Sequence, residues 1–248
     1  SNAIQAVSGI LLLPLITKSL SAYQYGLWSQ LLVTLSLLSA VTTLGLGSGV
    51  VRFLPGEKVL SRRQDIFYSS FLLCVGISCI GITFILIFLS PIANTLFEGE
   101  TWIVLTLPVL LLLQNVIESY ISLFKAFREI KYLSAILVVR KVAFLILAVI
   151  ALTNGHQLTS LITIYSINEL FFLLILAHKS YKIIGIKFPS FKGIGELVRY
   201  SVPISMTNIS SWVLNSSDRF IIGIFLGVTS VGYYTAAYAI GILIQSIV

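Results

Sequence analysis

Apolar runs long enough to cross a bilayer follow one another along nearly the whole chain, at about residues 1–17, 27–51, 67–89, 102–124, 132–152, 161–177, 200–226 and 233–248. A helix needs about 20 such residues to span the hydrocarbon, where each backbone amide must be satisfied within its own helix. Eight such runs in 248 residues point to one fold class, an all-α polytopic membrane helix bundle. Only 10% of the residues are charged, against about 25% in a soluble domain.

The net charge of +7 is explained by its placement. The loops after the second, fourth and sixth runs hold Arg52, Lys58, Arg62 and Arg63, then Lys125, Arg128 and Lys131, then Lys179, Lys182, Lys187, Lys192 and Arg199, which is twelve of the 16 basic residues. The loops at the other face hold Lys18 beside Glu98 and Glu100. The positive-inside rule places the basic loops and the N-terminus in the cytoplasm, and no nucleic-acid partner is needed to account for the charge. The longest basic loop mixes Lys with Ile, Phe and Tyr, as a segment resting on anionic membrane lipids at the cytoplasmic face would. Cys74 and Cys79 read as packing residues, and His156 and His178 lie in separate loops without partners at metal spacing, so no metal and no cofactor are expected.

Polar groups interrupt several runs. Ser201, Ser205, Asn208, Ser211, Asn215 and Asp218 recur every three or four residues, which puts them on one helix face that lipid cannot cover. Asp218 and Arg219 lie about 100° apart around that helix, so each is expected to find water or a partner on a neighbouring helix rather than the other. An unpaired charge at this depth costs about 2.5 to 3.5 kcal/mol. Glu118, Glu169, Arg140 and Lys141 extend the set to the fourth, fifth and sixth spans. They line either one interior space or a structural ion-pair network. Pro14 and Pro108 mark bends in mid-span and Pro203 the entry of span seven. Gly45 and Gly49, and Gly223 and Gly227, have the spacing of close helix contacts.

Leu20–Trp28 ("LSAYQYGLW") and Leu226–Tyr234 ("LGVTSVGYY") share Leu, a Gly six residues on and an aromatic two further, at an offset of 206. Both leave a helix that starts in the cytoplasm, so the repeat is parallel, as in transporters of two like lobes. It divides the chain into a first lobe at 1–177, a basic linker at 178–199 and the start of a second lobe at 200–248. On that reading the chain is a piece of a longer protein.

The stretch Leu197–Gly241, above all Tyr200–Pro203, Asn215–Arg219 and Gly227–Tyr234, resembles the opening of the second lobe in bacterial oligosaccharide flippases, the polysaccharide-export branch of the multidrug/oligosaccharidyl-lipid/polysaccharide exporter superfamily. Leu11–Gln30 and Thr43–Pro55 match the same pattern, which usually runs to twelve or fourteen spans. The resemblance implies a transporter, not an enzyme, with no catalytic residues. It would flip undecaprenyl-diphosphate-linked oligosaccharide, an O-antigen or capsule repeat unit, across the bacterial cytoplasmic membrane. It further implies rocking lobes, coupling to H+ or Na+, and a polysaccharide polymerase and chain-length machinery as partners. Under it, Arg140, Lys141, Asp218, Arg219, Asn215, Asn208 and Arg52 are candidates for the substrate cavity, Arg140 or Lys141 suiting a diphosphate. Glu118, Glu169 and Asp218 are candidates for ion coupling. Arg52 matches an arginine of the family pattern and is equally a positive-inside anchor. The rival classes are a drug or cation exporter of the same superfamily, whose cavity would be dominated by acids, and a lipid-linked glycosyltransferase or polymerase, which would need a sizeable acidic outer loop. The outer loops here contain no aspartate.

Overall fold

The computed structural model describes residues 19–153, 158–191 and 193–247. The first expected span, with Pro14, as well as Lys18, His156 and Lys192, lies outside the described residues. Within them the chain is helical, with no strand: α1 Ala22–Thr42, α2 Leu46–Phe53, α3 Leu60–Ile87, α4 Leu89–Leu96, α5 Thr101–Ala126, α6 Ile130–Thr153, α7 Leu158–Ile184, α8 Ile194–Leu226 and α9 Val228–Ile247. Five of these, α1, α3, α5, α6 and α7, are long and apolar enough to cross a membrane, and they cover the second to sixth expected runs. The longest helix, α8, is kept out of that set by its polar residues.

Local chemistry sets the ends and breaks. Ser21 opens α1 with a capping box: its hydroxyl accepts from Gln24 N at 3.2 Å while the Gln24 side chain accepts from Ser21 N at 3.4 Å. The second run was expected to be one helix over 27–51, but it is broken at Leu44 and Gly45, whose φ values of 46° and 63° are left-handed. A left-handed residue cannot continue a right-handed helix, so α2 restarts as a separate two-turn segment and ends in a single 3-10 turn around Pro55. The stretch 90–101, expected to be loop, holds α4, whose Ala93 is fully buried, followed by a turn through Glu98 (φ 50°) and Gly99 (φ 89°). Pro203 does not mark a helix entry, because α8 begins nine residues earlier at Ile194. Pro108 lies inside α5 as expected.

The basic residues gather where α2 and α5 end, α3 and α6 begin and α7 ends, which we call the basic end. Glu98 and Glu100 mark the opposite, acidic end. Through the middle runs α5, which supplies buried side chains to three apolar clusters: Ile103, Leu107 and Leu111 against α1 and α7, Leu123 against α2 and α8, and Ile117 and Phe124 against α6 and α7. Outward, α3 and α6 expose Ile80, Phe84, Val139 and Ile146, the apolar face that lipid solvates.

Between the end of α7 at Ile184 and the start of α8 at Ile194, the described residues 185–191 and 193 are non-helical, and this segment is strapped to α3. Gln64 Nε2 donates to Ile184 O at 2.6 Å, the Tyr68 hydroxyl donates to Gly185 O, and Lys187 Nζ lies 2.8 Å from Asp65 Oδ1. A basic segment that wanders freely would contribute nothing to the relation between α3 and α8. This one fixes it.

Candidate functional site

A cavity of about 780 Å³ opens between α1, α2, α3, α5 and α8, toward the basic end. Its wall mixes apolar surface with polar groups, the hydroxyls of α1, α2 and α5 lying beside Gln114, Glu118, Asn208 and Tyr200. Two cations stand in it, Arg52 from the last turn of α2 and Lys125 from the last turn of α5. Among the described residues neither has a carboxylate within ion-pair distance. The Arg52 guanidinium sits 4.9 Å over the ring of Tyr200, which meets Phe53 edge-on at 5.7 Å. An aromatic face orients a guanidinium without neutralising it, so α8 holds in place a cation that α2 presents.

Backbone approach brings α2 against α5 and α8. A Cβ on Gly47 would lie 2.3 Å from Ser122 Oγ, and one on Gly45 would lie 2.7 Å from Ser201 O. The Gly-rich stretch is therefore packing chemistry. Asn115, one turn from Glu118 on α5, is buried and ties three helices: it accepts from Ser39 Oγ at 2.7 Å and donates to Thr42 Oγ1 and Ser78 Oγ, each at 2.8 Å.

Of the residues singled out by sequence, Arg52, Glu118 and Asn208 line this cavity. Arg140 and Lys141 do not. They line a separate space of about 260 Å³ between α6 and α7. There Arg140 makes a two-pronged ion pair with buried Glu169, Nε to Oε1 at 3.0 Å and Nη2 to Oε2. That fork is already filled, so of the four charges on α5, α6 and α7 two form a structural ion pair, Lys141 stands beside that pair and Glu118 lines the other cavity.

Asp218 and Arg219 were expected not to meet, but Arg219 Nη1 lies 3.7 Å from Asp218 Oδ1. The 100° between their Cα–Cβ bonds is bridged by the reach of the arginine side chain. Both also find partners on α9. The Tyr234 hydroxyl donates to Asp218 Oδ2, and the Arg219 guanidinium, 8% exposed as a residue, lies 4.5 Å over Tyr238. Arg219 Nη1 also donates to Asn215 O at 3.0 Å. Along the expected stripe, Ser201 and Ser205 are buried against α2 while Asn208, Ser211 and Asn215 are exposed.

At the acidic end α1 and α9 cross with their backbones touching. A Cβ on Gly26 would stand 2.0 Å from Val228 O, and a Cβ on Gly232 would stand 2.1 Å from Ala22 O. Adding 206 turns the first contact into the second with partners exchanged. The hydrogen bond between Ser29 Oγ and Thr235 Oγ1, 2.8 Å, joins two residues that are themselves 206 apart. Both helices start at the acidic end and run the same way, so a local two-fold axis runs along them. Glu98 seals this end from outside the crossing, its Oε1 accepting from Val228 N at 2.7 Å. The cavity thus lies on the basic side of a closed crossing. Sequence reading missed Lys125 and Tyr200 as cavity groups because a basic or aromatic residue at a span end already has an ordinary interfacial explanation.

No curated protein and no solved structure shows a significant match to the chain. The family model described as polysaccharide biosynthesis protein matches residues 1–248. A polytopic helix bundle, a polar cavity closed toward one end and a match over the whole length agree: the chain belongs to the polysaccharide biosynthesis protein family, within the multidrug/oligosaccharidyl-lipid/polysaccharide exporter superfamily.

Proposed function

We propose that this protein is a flippase that moves undecaprenyl-diphosphate-linked oligosaccharide across the bacterial cytoplasmic membrane by alternating access, with its basic end and N-terminus in the cytoplasm. The observation that carries the reading is a cavity holding two cations, Arg52 and Lys125, with no ion-pair partner among the described residues, behind a closed crossing at the acidic end. A diphosphate brings its negative charge to such a site, and a guanidinium offers it a two-pronged hydrogen bond while an ammonium offers a point charge. The hydroxyl of Ser48 and the amides of Gln114 and Asn208 supply the hydrogen bonds a sugar needs. Residues 1–177 form the first lobe, 178–199 the linker and 200–248 the start of the second, and the local two-fold is the meeting of the lobes at their outer end. Transport consists of opening that crossing while the cavity closes toward the basic end. Glu118, the carboxylate in the cavity, is the group that exchanges a proton or sodium ion for cargo. The protein performs no covalent chemistry.

The test is reconstitution of the full chain in proteoliposomes with a labelled undecaprenyl-diphosphate oligosaccharide on one leaflet. Saturable delivery to the other leaflet, faster with an imposed ion gradient and slowed by undecaprenyl diphosphate, is expected. Delivery no faster than in protein-free vesicles overturns the reading.

A further inference from the structure

A groove at the basic end of the α6–α7 pair, outside the transport cavity, carries a site of its own. Phe171, Leu174, Ile175, His178 and Lys182 follow one another at intervals of one to four residues along α7 and, with Tyr132 of α6 and Lys179, line an open groove of about 400 Å³. Phe171 and Leu174 are exposed apolar side chains, and the rim above them is basic. No carboxylate is among the lining residues. Lys179 Nζ is held 5.2 Å over the Tyr132 ring, which fixes an ammonium at the mouth of the groove, and Lys182 stands one turn further along.

We propose that this groove binds a resident phospholipid with an anionic headgroup from the leaflet at the basic end, Lys179 and Lys182 holding the phosphate and Phe171, Leu174 and Ile175 the upper part of an acyl chain. Length and charge both argue for this occupant. From Phe171 to Lys182 is eleven residues, or about 16 Å of helix, close to half of the roughly 30 Å hydrocarbon core. The apolar floor and the cationic rim are therefore spaced as one leaflet spaces acyl chain and phosphate. Basic pockets between helices at the cytoplasmic side have the chemistry to hold such headgroups. A zwitterionic lipid fills the same floor but gains nothing from two lysines. The site does not depend on what the cavity transports.

The experiment places an Ile175→Trp reporter in the full chain, reconstituted in phosphatidylcholine vesicles with brominated phosphatidylglycerol or brominated phosphatidylcholine, and subtracts the quenching of the parent chain. A preference of at least about fivefold for the brominated anionic lipid is expected, the factor that each of the two lysines near an anionic surface supplies. Lys179→Gln/Lys182→Gln removes it and Lys179→Arg/Lys182→Arg keeps it. A Leu72→Trp reporter on the exposed face of α3 provides the comparison. Equal preference at both reporters, or a preference that survives the glutamine pair, overturns the proposal.

Discussion

Three side-chain groupings handle polarity within the bundle in different ways. Arg140 and Glu169 complete one another, so removing one strands the other, at about 3 to 5 kcal/mol. We predict that Arg140→Ala lowers both the membrane level and the thermal midpoint, and that Arg140→Ala/Glu169→Ala recovers part of each, as melting of the purified variants will check. Asn115 gives a neutral counterpart. Asn115→Leu removes the partner of three hydroxyls, at about 1 to 3 kcal/mol for each one left unsatisfied. Its melting midpoint is expected to fall by more than that of Ser36→Ala, whose hydroxyl serves Trp212 on a half-buried face. Arg52 and Lys125 differ from both groupings in leaving their charge available, which is what a cavity for an anion requires.

Among the helices, the crossing of α1 and α9 is the contact most sensitive to a single atom. A side chain at Gly232 drives the two backbones apart, because the obstacle is a carbonyl and not a flexible side chain. With Cys74 and Cys79 replaced, Ser29→Cys is expected to react slowly with a membrane-impermeant maleimide and several-fold faster when Gly232→Val is added; an unchanged rate would mean that the crossing does not gate access. The sequence made the long helices legible, since an apolar run of 20 residues has few other fates in lipid. It did not make the break at Leu44 legible, because leucine carries no signal for a left-handed backbone and the hydropathy is unchanged across it. Nor did it make α4 legible: Pro91 and Asn94 are turn residues, and only the burial of Ala93 and of Phe97 just beyond the helix overrides them. The charged residues of α6 and α7 stood out as chemistry, yet spacing within each helix says nothing about which residue of one helix faces which of the next. Glu169 facing Arg140 is a matter of packing register.

For the molecule as a whole, the related ends of α1 and α9, the broken α1–α2 pair and the strapped linker form one arrangement. The acidic end is shut by backbone contact around a two-fold, and the basic end holds a cavity whose cations are presented by α2 and α5, Arg52 being oriented from α8. The linker fastens α8 to α3 through Asp65, Gln64 and Tyr68, so a movement of α8 must carry or break that strap. Asp65→Asn is expected to raise the protease sensitivity of 185–193 without lowering the melting midpoint by more than about 1 kcal/mol equivalent, the usual value of an ion pair in contact with solvent. Delivery of lipid-linked oligosaccharide to the outer leaflet by the full chain, comparing the parent with Arg52→Gln/Lys125→Gln at matched membrane level, is the decisive measurement for a flippase whose cavity cations hold its cargo. The double variant is expected to fold, reach the membrane and fail to deliver. Delivery at the parent rate would contradict that role for the two cations.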